Sequence, residues 1–172
     1  MTAPALGLLV LRIVAGLIFA AHGAQKAFGW WSGPGFAGWR AAMERMGLQP
    51  PGLWAAVSTA AELVGGLLLV IGLLTPLAAA ALVGQAIVMI LHVHLPHGFW
   101  NAKGGFEFPL ALGAIALALV IMSGGAASLD HALRLDYPVA IRVLFLVLGV
   151  LGGLVAVALP RVGASREAPT AR

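Results

Sequence analysis

Long apolar runs alternate with short polar breaks along the chain, and the runs set its architecture. The first, about Ala5 to Phe28, is interrupted only by Arg12, His22, Gln25 and Lys26. A second extends from about Leu53 to Leu74. The third starts at Pro76, whose ring suits the first turn of a new helix, and reaches about Leu95. A fourth covers about Phe106 to Met122, and a fifth Val139 to Leu159. Each is close to the roughly 20 residues that cross a bilayer core about 30 Å thick. None alternates strictly, and only helices or closed barrels satisfy their backbone in lipid, so the runs predict helices. The expected fold is an all-α integral membrane protein: a helical bundle of four core spans plus a fifth C-terminal span.

The breaks carry their own pattern. Gly29–Pro51 holds Gly, Pro, three Trp and the Arg40, Glu44 and Arg45 group. Within it, Phe36–Leu48 places Trp39, Met43 and Met46 on one side of a helix and the charges on another. Tryptophan concentrates at membrane interfaces, so the pattern predicts a short interfacial amphipathic helix after the first span, an irregular loop being the alternative. His92, His94, Pro96 and His97 close the third run, a loop follows at Gly98–Gly105, and Gly124–Pro138 is a polar connection with Ser128, Asp130, Arg134 and Asp136. The small, polar stretch 161–172 reads as a disordered tail. The domains expected are a four-helix membrane domain over 1–135, an additional transmembrane helix over 136–160, and that tail.

Composition narrows the function classes. A 61% hydrophobic content and a mean hydropathy of +1.01 exclude an ordinary soluble domain. The net charge of +4 does not point to nucleic acid, because the basic residues form no continuous patch. With no cysteine there are no disulfides, thiol redox chemistry, cysteine-held Fe–S clusters or c-type haem attachment. A cleavable signal peptide is not expected: the N-terminus lacks a basic start, and the first run carries Arg12 and outlasts signal-peptide length. Alternating spans put Gly29–Gly52, the His94–Gly105 loop and the tail on one face. With Lys26 and Lys103 set aside, that face holds Arg40, Arg45, Arg161, Arg166 and Arg172 against Arg134 alone on the other. The positive-inside rule then makes the C-terminus cytoplasmic and the N-terminus external.

Charges inside the spans are the sharpest functional signal, since each costs at least roughly 2.5–3.5 kcal/mol in hydrocarbon unless paired, hydrated or used. At 1.5 Å per residue, His22 lies roughly 9 Å below the cytoplasmic end of its span and Glu62 roughly 13 Å below the same end of the next. His92 and Glu107 fall in the turns at that face. His22, Lys26, Glu62, His92 and Glu107 are therefore expected in one half of the bilayer. Arg12, about 24 Å away, shares a stripe with Gly16, Phe19, Gly23 and Lys26 that should face the bundle interior. Gln85, Met89 and His92 are expected along one face of the third span. For Glu62 the alternative to function is a structural ion pair. For Arg12 and Arg142 it is snorkelling to the interface. The histidines read as an interfacial cluster rather than a metal site, and a haem held between His22 and His92 is the weaker option. No metal site is expected.

The stretches R-x-x-x-G-x-x-F-x-x-x-G-x-x-K (Arg12 to Lys26), E-L-x-G-G-x-L-L-x-x-G-L-L-T (Glu62 to Thr75), G-G-F-E-F-P-L (Gly104 to Leu110) and S-L-D (Ser128 to Asp130) occur in order. Together they resemble the DoxX family of small bacterial and archaeal membrane proteins, over about residues 8–135. The resemblance implies four spans, an oxidoreductase-like role and the plasma membrane of a prokaryote as location. One relative forms a subunit of a thiosulfate:quinone oxidoreductase. It also marks Arg12, Lys26, Glu62, Glu107 and Asp130 as characteristic positions, and the fifth span departs from its pattern.

The function expected is a quinone-interacting oxidoreductase subunit with a polar site between helices. Glu62, Glu107 and His22 are its catalytic candidates, Lys26, Arg12 and His92 its ligand-binding candidates, and Asp130 a structural residue. A carboxyl with its pKa raised by burial would supply protons, and Lys26 or His22 would bond the quinone carbonyls. Quinone is the cofactor this reading implies. With no redox centre of its own, the chain would draw electrons from a soluble partner protein or directly from a substrate. The competing class is a non-enzymatic scaffold or lipid-binding protein that recruits partners. The oligomeric state stays open.

Overall fold

The computed structural model describes the backbone of residues 2–166 and the side chains of residues 2–159; of the disordered tail expected over 161–172, residues 161–166 instead continue the last helix and 167–172 lie outside the described range. Every regular element among the described residues is helical. In chain order these are α1 (Ala3–Phe28), α2 (Gly35–Arg45), α3 (Pro51–Ile71), α4 (Thr75–Val88), α5 (Glu107–Met122), the single turn α6 (Leu129–Ala132) and α7 (Val139–Arg166). Four helical stretches are long and apolar enough to cross a membrane: Ala3–Phe28, Pro51–Ile71, Thr75–His97 and Val139–Leu159. The fourth expected span, α5, has only 16 residues. At 1.5 Å per residue that is about 24 Å, short of the hydrocarbon thickness.

Small residues decide which helices touch, because in lipid close packing replaces the hydrophobic effect as the force between helices. α1 packs most extensively on α3. A Cβ added at Gly16 would lie 2.7 Å from the Gly66 carbonyl, and one at Gly23 would strike the backbone of Leu63. The stripe read from spacing is therefore the contact face: Arg12, Gly16, Phe19, Gly23 and Lys26 are all buried. α4 is the central helix, with α3, α5 and α7 against it. Its core residues Ala79, Ala80 and Leu82 are essentially inaccessible. α7 reaches α4 through a second small-residue contact, in which Gly149 lies against Ala80 and Gly153 against Gly84.

The connections are firmly held. Helix α2 buries Met43 and half-buries Trp39 and Met46 while exposing Arg40, Glu44 and Arg45, the amphipathic split expected from Phe36–Leu48. It packs on α1 and α3, capping one end of the bundle. The loop before α5 closes as a hairpin, with Phe106 and Glu107 N–H donating to the carbonyls of Gly98 and Phe99. At the opposite end, Leu74 is in the left-handed region with φ 49°, which a branched side chain adopts only when neighbours hold it there. Asp130 supplies that hold. Its carboxylate accepts from Leu74 N–H at 2.7 Å and Thr75 N–H at 2.9 Å, an N-terminal cap for α4 provided from 55 residues away.

Gly23→Leu is expected to separate α1 from α3 and to destabilise the protein by at least the ~1–3 kcal/mol typical of overpacking. Gly7→Leu, where an added Cβ meets nothing within 4 Å, should change little. Thermal unfolding of the two variants in detergent compares them directly, and equal losses would refute the contact.

Candidate functional site

Of the residues expected to converge, two meet. Lys26 on α1 donates from Nζ to Glu62 Oε1 on α3 at 2.5 Å, with the glutamate only 1% exposed. The stripe on α1 and Gly66 on α3 bring the helix axes close enough for this bond, while Gly65 faces Leu82 of α4. The Trp39 ring of α2 covers the ammonium, with its centroid 4.2 Å from Nζ. This cation–π contact adds to the carboxylate's attraction while sealing the pair from one end. A fourth helix completes the cluster. Gln85 of α4 donates from Nε2 to the same Glu62 oxygen at 2.9 Å and to Ser58 Oγ at 2.9 Å. Glu62 Oε2 and Thr59 Oγ1 are buried without a partner in the protein, so the cluster holds unused hydrogen-bonding capacity.

Gln85 and Ser58 also line a cavity of about 610 Å³. Its floor is α4, its sides are α3 and α7, and Trp39, Met43 and Leu48 close the end nearest α2. The size falls within the ~300–1,000 Å³ of small-molecule sites, and an apolar wall with a few converging polar groups is their usual composition. Rim residues Val57, Leu148, Leu151 and Val155 are about half exposed, so in a bilayer the cavity opens sideways to the acyl chains. Gln85 is thus the bridge between a buried ion pair and a lipid-facing chamber.

The other candidates lie elsewhere. His22 is half-buried with its ring centroid 6.2 Å from that of Phe108 on α5. His92 Nε2 lies 3.4 Å from the Ala156 carbonyl of α7. Its departure from the Gln85–Met89 face has a local cause: Met89–His94 winds as a π-helix, and the wider turn places Val93 rather than His92 on the cavity wall. His94 donates from Nδ1 to Gly104 O and His97 to Val93 O, so the three histidines turn three different ways. Glu107 accepts from Asn101 N–H at 3.0 Å and braces the α5 hairpin. Arg142 donates to the Ile121 carbonyl.

Arg12 belongs to the far end. It is 2% exposed and donates to the carbonyls of Gly124 at 2.5 Å and Ala127 at 2.6 Å, fixing the turn that presents Asp130. Tyr137 completes this second cluster by donating its hydroxyl to Asp130 Oδ1 at 3.0 Å. Burial first, then the bond to and charge of Asp130, push the Tyr137 phenol up to about 12.

The DoxX family profile matches residues 7–95. The protein named "Putative oxidoreductase CatD", from Bacillus subtilis (strain 168), is 34% identical over 116 residues, 66% of this chain and 78% of that protein. No solved structure matches the chain significantly.

Two measurements probe the two clusters. Lys26→Met strands a buried carboxylate and should cost about 3–5 kcal/mol, whereas Lys26→Met with Glu62→Leu should recover most of it. Unfolding free energies for the singles and the double decide this, and simple additivity would mean the pair is not coupled. Tyr137 is the single tyrosine, so phenolate absorbance reports it alone. A pKa raised above the ordinary 10.0 means the folded state favours the protonated phenol. That stabilisation is full below pH 10 and disappears as pH rises through about 12. The folded protein should therefore titrate near 12 and Asp130→Asn measurably lower, with the larger part due to burial remaining; an unchanged midpoint in Asp130→Asn would refute the bond to Asp130.

Proposed function

The chain belongs to the DoxX family of multi-pass membrane proteins, and from that premise we propose that it is the quinone-interacting membrane subunit of an oxidoreductase. One observation carries the reading. A buried Lys26–Glu62 pair is joined through Gln85 to a chamber that faces lipid. Quinone reduction takes up two electrons and two protons, and a quinone is delivered from the membrane interior. The chamber suits that delivery. Glu62, with a buried oxygen left unpartnered, is the group that would hold the proton to be delivered, and Gln85, which donates to the other oxygen, holds that carboxyl beside the chamber. Lys26 stabilises the carboxylate each time its proton leaves.

Electrons come from a soluble redox partner that docks on the face bearing α2 and the Gly98–Gly105 loop. That face is cytoplasmic in this reading, with the N-terminus outside and the protein in the plasma membrane of a prokaryote. In this reading Glu62 has the proton-supplying role expected of it, while Lys26, expected to bond the quinone carbonyls, acts on Glu62 instead. His22, His92 and Glu107 surround it at the same end, and Arg12 with Asp130 maintains the frame from the other.

Mass spectrometry of small molecules that co-purify from native membranes in mild detergent tests the reading. A near-stoichiometric quinone is expected, together with at least a roughly tenfold loss in Glu62→Gln, about 1.4 kcal/mol of binding, without loss of insertion. Phospholipid alone in the parent protein would overturn the reading in favour of a scaffold or lipid-binding protein.

A further inference from the structure

One wall of the chamber lies beyond the matched family segment. That profile ends at residue 95, and α7 begins at Val139. α3 and α7 both pack on α4 without extensive contact between themselves, so the chamber is the cleft left between them. Three glycines of α7 line it, and they do different work. Gly149 and Gly153 lie against α4, where an added Cβ would press on the backbone of Ala80 or Gly84. Gly152 also lines the chamber, yet a Cβ added there meets nothing within 4 Å. Helix packing therefore accounts for Gly149 and Gly153 and leaves Gly152 unexplained. What its missing side chain does is keep the cleft wide.

The polar end restricts what can enter. Gln85 directs Nε2 to the Glu62 carboxyl and to Ser58, so the amide is oriented by its neighbours and its Oε1 remains an acceptor on the other side. Ser58 Oγ accepts from Gln85 and keeps its own hydrogen to donate. Among the described residues no cationic side chain lines the chamber, and Lys26 is engaged with Glu62 beyond it. A phosphate or carboxylate head would leave water for a site without a counter-charge. A neutral quinone accepts at a carbonyl from Ser58, and its reduced quinol form donates a hydroxyl to Gln85 Oε1.

We infer that the cleft binds a neutral-headed prenyl lipid, its head on Ser58 and Gln85 and its chain along α7 past Gly152, and that Gly152 sets the width available to that chain. This rests on the quinone reading above and adds to it the pose of the ligand and the residue that selects it.

Filling the cleft from α7 tests the inference. Gly152→Phe, purified from native membranes beside the parent protein, is expected to carry at least roughly tenfold less quinone. Its affinity for added decylubiquinone should fall by a similar factor, while its thermal midpoint stays within a few degrees of the parent. Leu148→Trp fills the same cleft from a neighbouring position, half exposed on its rim, and serves if Gly152→Phe unfolds. A parent protein that holds quinone and loses it in Glu62→Gln, with full occupancy in both fillers, would overturn this inference and leave the oxidoreductase reading standing. A parent protein that holds no quinone removes that reading itself. Phospholipid in the parent, displaced by the fillers, would replace the neutral-headed occupant with a charged one.

Discussion

A charge placed in hydrocarbon must find its partner inside the protein, and this requirement organises the bundle from both ends. α1 carries two such charges on one stripe, Arg12 and Lys26, about 21 Å apart along the axis. Between them the glycines of α1 and α3 hold the backbones in contact, so the polar bonds fix register and the small residues fix distance. Neither device suffices alone. Glycine-lined helices can slide or rotate, and a lysine reaches a carboxylate across a bundle only when the helices are already close.

The two ends are chemically unequal. Arg12 directs its terminal amino groups to backbone carbonyls, and Asp130 satisfies two backbone N–H groups and a hydroxyl. That network also leaves Arg12 Nε and Thr75 Oγ1 buried without a partner, but none of its residues lines the chamber. Glu62 shares one oxygen between Lys26 and Gln85 and leaves the other buried without a partner. An incompletely satisfied polar group in a low-dielectric interior is costly, which makes it a place where a ligand, water or proton has something to gain by binding. The same residue classes thus produce a frame at one end and a site at the other. The difference is whether the network has room and an opening beside it.

How much of this was legible in the sequence depended on whether partners lay on one helix or on two. The spans, the amphipathic α2 and the interior stripe of α1 all follow from periodicity within a single element, and spacing reported them. Glu62 and Lys26 were recognisable as buried charges, but depth alone also admitted His22, His92 and Glu107 to the same cluster. Rotation about each helix axis separates them, and relative rotation of two helices is not written in either one. Ser58 and Gln85 were missed as partners of the ion pair for the same reason, although Gln85 stood out as an amide inside an apolar run. The π-helical turn at Met89–His94 is a further case: it changes which residue faces the cavity, and nothing in M-I-L-H-V-H marks it. Asp130 was legible as structural, but not as the cap of α4, because its partners Leu74 and Thr75 lie 56 and 55 residues away.

The cleft itself arises from a mismatch between helices. α4 is wide enough in its contacts to accept both α3 and α7, yet it has small residues at Ala80, Ala81 and Gly84, so each neighbour packs close to it and apart from the other. A large side chain at those positions would lift α7 and fill the space. Without α7 the same face of α4 would meet lipid directly, and Gln85 and Ser58 would sit at the edge of an open surface with no second wall to hold a chain. The fifth helix therefore does more than lengthen a four-helix core. It gives the polar spot at Gln85 and Ser58 a second wall while its side toward the acyl chains stays open, and the apolar surroundings strengthen hydrogen bonds there for the same reason that they strengthen the Lys26–Glu62 bond.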